Sequence, residues 1–581
     1  MELFYAYLNH LRAAPFPADF YADQARIASL QESYEDRGEG AALATELANN
    51  ALFYPLPIAA RAPLVWGEPD EAAYRKLLNA LTPDNMLATF QAKGVPADRT
   101  EEIYATAYAY TETTGEIYDR LVAPPAVDGF ALPAANPFIP KETALLAEQP
   151  LLLIDEPSLQ LYYAQDVEFK RPQTTIKLRF VTTRANATAE MDLLLRFYEM
   201  CLEDSIEPAA GDASIAGVDY ALNVGLEGIT LTVTGFGESP VRFAEYVAEQ
   251  MLTFTINDER FASLSELVQR NLQSYAQTEA YALARDRYTT LFRESYFLPN
   301  HSLDQAAKVT LAEVKTAAQT FFAKGKLEAL IHGHLSPHAS RQAVRRIEAA
   351  LVSTAVDEDD LFYRRHLTTT PGKTITDVAA IEGVNSTYRA VYRFKGEAPK
   401  TRAAAAVIGN FMNTPYFEEM RTRQQLGYIV GSAAGASLRE RVILFVIQSS
   451  EYPADEQRTR SEKRISELPG MLAELSVEDW QTLIAGVRSQ LEEKPKSIAE
   501  KSAKFFTLGF DFDGEWSRTQ EVLAELDQLD QAEVAQFFAD TIDPQKAHVF
   551  ITLLSSSNHD KSATEPTFTD REIWQKQQTY R

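Results

Sequence analysis

Apolar and polar positions along this chain follow an order that occurs twice. A strand-like run at 174–183 (TTIKLRFVTT) precedes the helical pattern EMDLLLRFYEMCLEDSI, and two further strand-like runs, AGVDYALNVG and GITLTVTGF, come after it. The order returns at 386–394 with STYRAVYRF, followed by RAAAAVIGNFMNT, LGYIVGSAAG and RVILFVIQS. Runs of β-branched and aromatic residues predict strands, and apolar residues three and four positions apart predict helices. A repeat of this length predicts two copies of one structural unit.

Each copy continues into a long helical region and closes with a helix and a strand. The segment 251–274 (MLTFTINDERFASLSELVQRNLQS) parallels 471–493 (MLAELSVEDWQTLIAGVRSQLEE), and LAEVKTAAQTFFAKGKLEALIHGHL parallels QAEVAQFFADTIDPQKAHVFITLL. A fainter third copy near the N-terminus, DFYADQARIASLQ and then LNALTPDNMLATFQA, resembles only the second half of the unit. The chain therefore contains about two and a half units.

These units predict an α+β fold. Strands that alternate with amphipathic helices form a mostly antiparallel sheet with helices packed on one face. The half unit at the N-terminus would leave a sheet edge and an apolar face uncovered. We therefore expect material N-terminal to Met1, on the same precursor or on a partner chain, to complete it.

Proline-rich and polar stretches mark the boundaries between the units. Successive prolines in LPAANPFIP (132–140) disfavour both helix and sheet pairing, which predicts an extended strap. The predicted organisation is a half unit at 1–131, the strap at 132–150, a full unit at 151–355, a linker at 356–375, a second full unit at 376–555 and a loose tail at 556–581.

Composition and charge exclude several classes of function. At 581 residues the chain is too long for one hydrophobic core. Its formal net charge of -26 disfavours nucleic acid and anionic membranes as partners, because a protein that binds either of them needs an excess of Lys and Arg on its surface. No apolar run approaches the length of a membrane-spanning helix, and Cys201 is the single cysteine. We therefore expect a soluble protein without an intrachain disulfide, in either the cytoplasm or a bacterial periplasm.

The eight histidines do not form a zinc-protease motif. Such a motif is His-Glu-x-x-His or its inversion His-x-x-Glu-His, in which the glutamate activates water, and neither occurs. The segment IHGHLSPH places His332, His334 and His338 close together, and these three are the alternative set of metal ligands. The preferred interpretation is the end of a strand beside Pro337, with no glutamate placed as a base. We therefore predict no metal and no cofactor in this chain.

The segment RTRQQLGYIV (421–430) carries the remaining candidate chemistry. The residues before it predict a helix that starts at Thr414 and Pro415 and ends at Gly427. Phe417 and Met420 lie three residues apart, so we expect both to face inward.

Arg421 and Tyr428 are the two candidate binding residues of this segment. Arg423 has Glu419 four residues earlier and is predicted to pair with it, which leaves Arg421 as the freer guanidinium. A fork of N–H donors and a phenol within one short turn can grip a peptide carbonyl or a tetrahedral oxyanion. The competing interpretation is ordinary structural punctuation, a helix end followed by a strand.

The earlier copy provides an internal control for this motif. Its equivalent stretch, SIAGVDYALNVG, keeps Gly217 and Tyr220 but has no arginine pair upstream. The turn is therefore predicted to be structural in both copies, whereas the arginine is peculiar to the second.

The motifs together resemble the C-terminal part of the pitrilysin/insulysin family of zinc metalloendopeptidases. RTRQQLGYIV with the downstream VIQSS is similar to the fourth-domain signature of that family, and AGVDYALN with GITLTVTGF is similar to its third domain. DRTEEIYATAYAY (98–110) with NPFIP resembles the end of the second domain and the strap that joins the two halves. The resemblance implies that 1–131 is the C-terminal part of a second domain, 151–355 an inactive third domain and 376–555 the fourth domain.

The resemblance also implies a function. Long members of the family have four homologous α+β domains, whose two halves close around a chamber that admits peptides and small unfolded proteins. The inverted zinc motif lies in the first domain, so zinc is expected in a complementary N-terminal half and on no residue here. Arg421 and Tyr428 correspond to the pair that reaches across the chamber to the substrate.

Two functional hypotheses follow. In the first, the chain is the C-terminal half of a zinc-dependent endopeptidase, inactive alone, that supplies chamber wall and substrate contacts. In the second, it is a non-catalytic peptide-binding or scaffolding subunit of a related complex. The Arg421 and Tyr428 pair favours the first, because a pure scaffold needs no oxyanion grip.

Overall fold

The computed structural model describes residues 1–34, 40–112, 114–132, 136–140, 151–351 and 354–581. Within them the chain divides into two units, one formed by Met1–Ile139 with Asp212–Gly217 and the other by Pro140–Gly211 with Val218–Arg581. The predicted strap at 132–150 lies mostly outside the described residues, which omit 133–135 and 141–150. In the part of the chain that is described, no helix is long and apolar enough to cross a bilayer.

The first unit is mainly helical and has a small core. Tyr5, Leu8, Leu78 and Leu121 are buried together, and the two strands of this unit form a short antiparallel pair. Its elements are α1 (Glu2–Ala13), α2 (Ala18–Ser33), α3 (Gly40–Phe53), α4 (Leu56–Ala59), α5 (Glu71–Ala80), β1 (Arg99–Thr100), β2 (Ala107–Tyr108) and α6 (Glu116–Val122).

The described residues of the second unit form two sheets, and the first sheet has six strands. Strands and helices of this part are β3 (Leu151–Asp155), β4 (Leu159–Gln165), β5 (Gln173–Thr182), α7 (Ala189–Ile215), β6 (Asp219–Gly225), β7 (Gly228–Phe236), α8 (Ser239–Thr253), α9 (Asp258–Ser274), α10 (Ala280–Phe292), α11 (Leu303–Ala306), α12 (Leu311–Phe322), β8 (Gly325–Gly333) and α13 (Pro337–Leu351).

The second sheet has five strands. Strands and helices of this part are β9 (Lys373–Ala380), β10 (Ser386–Arg393), α14 (Pro399–Phe417), β11 (Ile429–Ser437), β12 (Glu440–Ser449), α15 (Ala454–Ala473), α16 (Val477–Leu491), α17 (Ile498–Phe506), α18 (Arg518–Leu526), α19 (Gln531–Ile542), β13 (His548–Ser555) and α20 (Arg571–Gln575).

Strand order confirms the predicted repeat. The first sheet runs β3-β4-β8-β5-β7-β6 and the second runs β9-β13-β10-β12-β11. If β3 is set aside, each strand of one sheet has a counterpart at the same place in the other. In both sheets a single neighbouring pair is parallel, β4 with β8 and β9 with β13, and all other pairs are antiparallel. The predicted fold class, repeated units with a mostly antiparallel sheet, is therefore confirmed.

Helices cover both faces of these sheets, which adds to the prediction of helices on one face. On the first sheet α8 and α12 pack against β5, and α17 from the second repeat also packs against β5 and β8. On the second sheet α15 packs on β10, and α10 from the first repeat packs on β10, β12 and β13. Each repeat therefore gives one helix to the sheet of the other, which explains why both belong to one unit.

Alternate side chains of β5 show how the two faces differ. Phe180 packs against Phe321 and Phe322 of the same repeat, with ring centroids 6.0 and 4.7 Å away. On the other face, the charged ends of Lys177 and Arg179 lie 4.9 and 5.3 Å from the Phe506 ring centroid. The period of two along a strand places these two groups on opposite faces. The cationic face of β5 thus packs against α17, because that helix presents the aromatic ring of Phe506 to Lys177 and Arg179.

Two segments predicted to be irregular are packed instead. The tail at 556–581 was expected to be loose, but the backbone N–H of Thr567 donates to Thr376 at 2.8 Å, and Phe568 and Trp574 pack against the core of the second sheet. The tail was predicted to be loose because most of its residues are polar, but two of its aromatic side chains are partly buried by this contact. The predicted linker at 356–375 also contributes buried residues, including Leu361.

His332 on β8 is one of the polar groups buried between a sheet and a helix of the other repeat. Its Nδ1 lies 2.8 Å from Ser502 Oγ, and that hydroxyl donates to the Ile498 carbonyl at 2.6 Å. Nδ1 therefore carries the proton, and Nε2 is buried without a partner among the described residues. Burial lowers the pKa of His332 to about 4.

This shift predicts a loss of stability in mild acid. The unfolded chain binds a proton at His332 near its ordinary pKa of 6.5, whereas the folded chain binds it only near 4. The contribution of neutral His332 to the free energy of unfolding is therefore fully present above pH 6.5. It falls as the pH is lowered from 6.5 toward 4, by about 2 kcal/mol between pH 7 and 5. Urea denaturation at both pH values should show a smaller loss for His332→Gln than for wild type, and no such reduction for exposed His338→Gln. Equal losses in all three proteins would contradict the assignment.

Candidate functional site

The candidate segment follows α14, and its local structure differs from the prediction. The helix begins at Pro399 and already contains Pro415, so Thr414 and Pro415 do not start it. Residues Glu418–Arg423 continue α14 as a π-helix, which has a wider turn than an α-helix. Because that change rotates the following side chains, the expected inward pair is split: Met420 is buried, whereas Phe417 is 42% exposed.

Gly427 does not end the helix as predicted. The helical segment stops at Arg423, and Gln425 adopts the positive φ of 52°. Glycine is needed at 427 because a Cβ there would lie 1.9 Å from the backbone oxygen of Gln448. The turn therefore lies directly against the end of β12, at a distance that only a residue without a side chain allows.

The structure brings Arg421 and Tyr428 together on this turn. The guanidinium carbon of Arg421 is 4.9 Å from the Tyr428 ring centroid, and its Nη1 donates to the Gly427 carbonyl. Tyr428 is 82% exposed. The predicted pairing of Arg423 with Glu419 is present at 3.3 Å, and no carboxylate in the described ranges pairs with Arg421. An arginine thus holds an exposed tyrosine in place by stacking.

The pair lines a cavity of about 510 Å³ between the two repeats. One wall is the turn itself, and the other contains residues that the sequence analysis missed. The lining residues are Glu279, Tyr281, Asn385, Arg421, Gln425, Leu426, Gly427, Tyr428, Ile429, Gln448, Ser449, Ser450 and Glu451.

Gln448 joins the two walls. Its side-chain Nε2 donates to Glu279 Oε2 at 2.7 Å, and its Oε1 accepts the backbone N–H of Tyr281 at 2.8 Å. Glu279 and Tyr281 lie at the start of α10, the helix that the first repeat places on the second sheet. One feature of the sequence could have indicated this residue, because Gln448 directly follows the apolar run VILFVI.

The equivalent turn of the earlier copy, which the structure describes, does not form the same site. Tyr220, the counterpart of Tyr428, is half-buried and packs on Phe243 with ring centroids 5.2 Å apart. Gly217 has a positive φ of 72°, whereas Gly427 does not, so the two turns also differ in backbone conformation. An exposed tyrosine under an arginine is therefore specific to the second repeat.

The three histidines of the alternative metal site do not meet. His332 is buried against Ser502 and Phe505, His334 is buried just beyond the end of β8, and His338 is exposed in the first turn of α13. Across the described ranges, no group of three or more His, Cys, Asp or Glu side chains is placed to hold a metal ion. The residues present therefore do not fit a zinc ion.

Two family models match the chain. The model described as "Middle or third domain of peptidase_M16" matches residues 33–305, and "PQQ synthase PqqF-like, C-terminal lobe domain 4" matches 407–506. Among curated relatives, human insulin-degrading enzyme is 22% identical over 559 residues, which cover 94% of this chain and 55% of the relative. The A-factor-processing enzyme of Saccharomyces cerevisiae is 21% identical over 499 residues, covering 84% and 48%.

Solved structures show the same fold. Pitrilysin superimposes with a TM-score of 0.82 at 17% identity, over 100% of this chain and 63% of that one. A structure from Pseudomonas fluorescens named as a peptidase M16 inactive domain matches with a TM-score of 0.53 at 13% identity, covering 72% of this chain and 100% of that one. The fold is that of M16 peptidases, and the chain belongs to the pitrilysin/insulysin (insulinase-like) family. It spans about half the length of the curated relatives it matches.

The close approach at Gly427 predicts a local difference between two glycines. Gly427→Ala places a methyl group against the Gln448 carbonyl and should lower the free energy of unfolding by about 1–3 kcal/mol. Gly431→Ala is the matched control, because nothing lies within 4 Å of its Cβ position, and should change stability by about 0.5 kcal/mol or less. Urea denaturation measures both. Equal stability of the two variants would show that the turn does not press on β12.

Proposed function

We propose that this chain is the C-terminal half of a zinc-dependent endopeptidase that encloses and cleaves peptides or small unfolded proteins. In this proposal the chain supplies chamber wall and substrate contacts, and zinc belongs to a complementary N-terminal half. The domain assignment is part of the proposal: the end of a second domain at 1–131, a third at 151–355 and a fourth at 376–555. The observation that carries it is the exposed Tyr428, stacked against Arg421, in the lining of a cavity.

The chemistry of the pair suits a peptide carbonyl. Arg421 uses one N–H on the Gly427 carbonyl, and the guanidinium has further N–H donors for a ligand. Tyr428 adds a phenolic donor whose ring is already ordered by stacking, so less conformational entropy is lost on binding. Two donors that converge on one oxygen stabilise the negative charge that develops there during acyl transfer. The roles proposed are orientation of the peptide by Arg421 and hydrogen bonding to its carbonyl by Tyr428.

Exposed apolar side chains support the proposed partner half. In the first unit Phe53 is 81% exposed and Tyr104 84% exposed, and none of the residues of α3 is buried. A group of large apolar side chains that are exposed to solvent is typical of a surface that another part of the structure covers. The complementary half, on the same precursor or a separate chain, is the proposed cover.

A non-catalytic peptide-binding or scaffolding subunit is the second candidate. It is favoured by the absence of a metal-holding group among the described residues and by the likeness in fold to a structure named as an inactive domain. It differs from the first candidate in one respect. A scaffold would be required for assembly but not for the chemical step.

Substitution of Arg421 separates the two candidates. In an assembly with the zinc-bearing M16 half from the same source, Arg421→Ala should lower kcat/KM for a quenched fluorescent peptide by about 10- to 100-fold. Arg421→Lys should recover only part of the rate, because lysine lacks the planar fork that stacks on Tyr428. The matched control is Arg423→Ala. It also removes one arginine charge, two residues along the chain from Arg421, but the side chain that is removed is paired with Glu419.

Two results would reject the first candidate. One is full activity of the zinc half without this chain. The other is an unchanged rate with Arg421→Ala when the chain is still required, which would favour the scaffold.

A further inference from the structure

Glu279 lines the same cavity as Arg421 and Tyr428 but comes from the other repeat. It is the residue before α10, and its side chain is exposed. Nothing in the roles of Arg421 and Tyr428 requires a carboxylate across the cavity from them. Its placement therefore calls for a separate explanation.

The Glu279 carboxylate is held in position by a buried side chain. Gln448 is 6% exposed, and its amide orientation is determined because its Oε1 accepts the Tyr281 N–H. The amide Nε2 must then point at Glu279 Oε2, 2.7 Å away. Asn385 Nδ2 lies 3.5 Å from the same oxygen. All the contacts named here involve Oε2, so Oε1 keeps its capacity to accept a hydrogen bond from a ligand.

The Glu279 carboxylate has no cationic partner in the part of the chain that the structure describes. No Lys, Arg or His within the described ranges forms an ion pair with Glu279, and Arg421 in the same cavity pairs with neither Glu279 nor Glu451. The cavity thus presents a guanidinium from the second repeat and, from the first repeat, the carboxylate of Glu279, which has no ion-pair partner among the described residues. A ligand that satisfies both walls carries an oxygen acceptor for the first and a cationic group for the second.

We infer that Glu279 binds a cationic group of the peptide whose carbonyl is held by Arg421 and Tyr428, which makes the site selective for positively charged peptides. The inference rests on the proposed peptide-binding function. An ammonium or guanidinium group donates a charge-assisted hydrogen bond to the carboxylate, whereas an acidic group is repelled by it. The group is either a Lys or Arg side chain or the ammonium of a peptide N-terminus. The chain's net charge of -26 favours approach of such peptides.

The test measures binding of labelled peptides to the purified chain by fluorescence anisotropy at low salt. Three peptides of one sequence are compared: one with an internal lysine and an acetylated N-terminus, one with a free N-terminus and glutamine for the lysine, and one with neither charge. Wild type should bind one of the charged peptides about two- to five-fold more tightly than the neutral one, and which peptide it is identifies the source of the charge.

Variants of Glu279 isolate the carboxylate. Glu279→Gln keeps an acceptor for Gln448 but removes the charge, so the preference should fall to about one. Glu279→Lys should reverse it toward a peptide that carries glutamate in place of the lysine. Exposed Glu565→Gln changes the net charge equally and lies outside the cavity, so it should leave the preference unchanged.

Failure of the inference and failure of the proposed function give different results. If Arg421→Ala weakens binding of every peptide while Glu279→Gln keeps the wild-type preference, only the role of Glu279 is overturned. If wild type binds none of the peptides, or Arg421→Ala leaves all affinities unchanged, the peptide-binding function fails and the inference fails with it.

Discussion

The contact between Gly427 and the backbone oxygen of Gln448 is the constraint on which the candidate site depends. A Cβ at 427 would lie 1.9 Å from that oxygen, so the turn that carries Arg421 and Tyr428 can approach β12 only through glycine. The side chain of the same Gln448 holds Glu279 and the Tyr281 backbone on the opposite wall. One residue of β12 therefore determines the positions of both walls of the cavity.

The exchange of helices between the repeats gives the site its second wall. The helix α10 belongs to the first repeat but packs on β10, β12 and β13 of the second sheet, which brings Glu279 to Gln448. In return α17 covers β5 and β8 of the first sheet, where Lys177 and Arg179 lie over Phe506. The equivalent turn of the first repeat lacks the arginine pair, and its tyrosine, Tyr220, is half-buried. We propose that the site still requires the first repeat, because the helix α10 of that repeat completes the cavity around Arg421 and Tyr428 in the second repeat.

Features encoded by local periodicity could be predicted from the sequence. The alternation of strands and helices gave two copies of a mostly antiparallel sheet, and both copies indeed share one strand order. The neighbourhood of Arg421 and Tyr428 followed from an eight-residue segment and from its difference from the earlier copy. Features that depend on contacts between distant residues could not be predicted. Examples are Glu279 with Gln448, the steric reason for Gly427 and the anchored tail. The π-helical turn after α14 was missed because the spacing of Phe417 and Met420 fits a regular helix.

The central claim is that Arg421 and Tyr428 contact the substrate of an assembled peptidase. Its most direct test is a crystal structure of this chain with the zinc-bearing half and a bound, uncleaved peptide. The account predicts an Arg421 N–H and the Tyr428 hydroxyl at about 3 Å from a peptide carbonyl oxygen next to the zinc. A peptide bound elsewhere in the assembly, with the cavity around Arg421 and Tyr428 filled only by water, would contradict it.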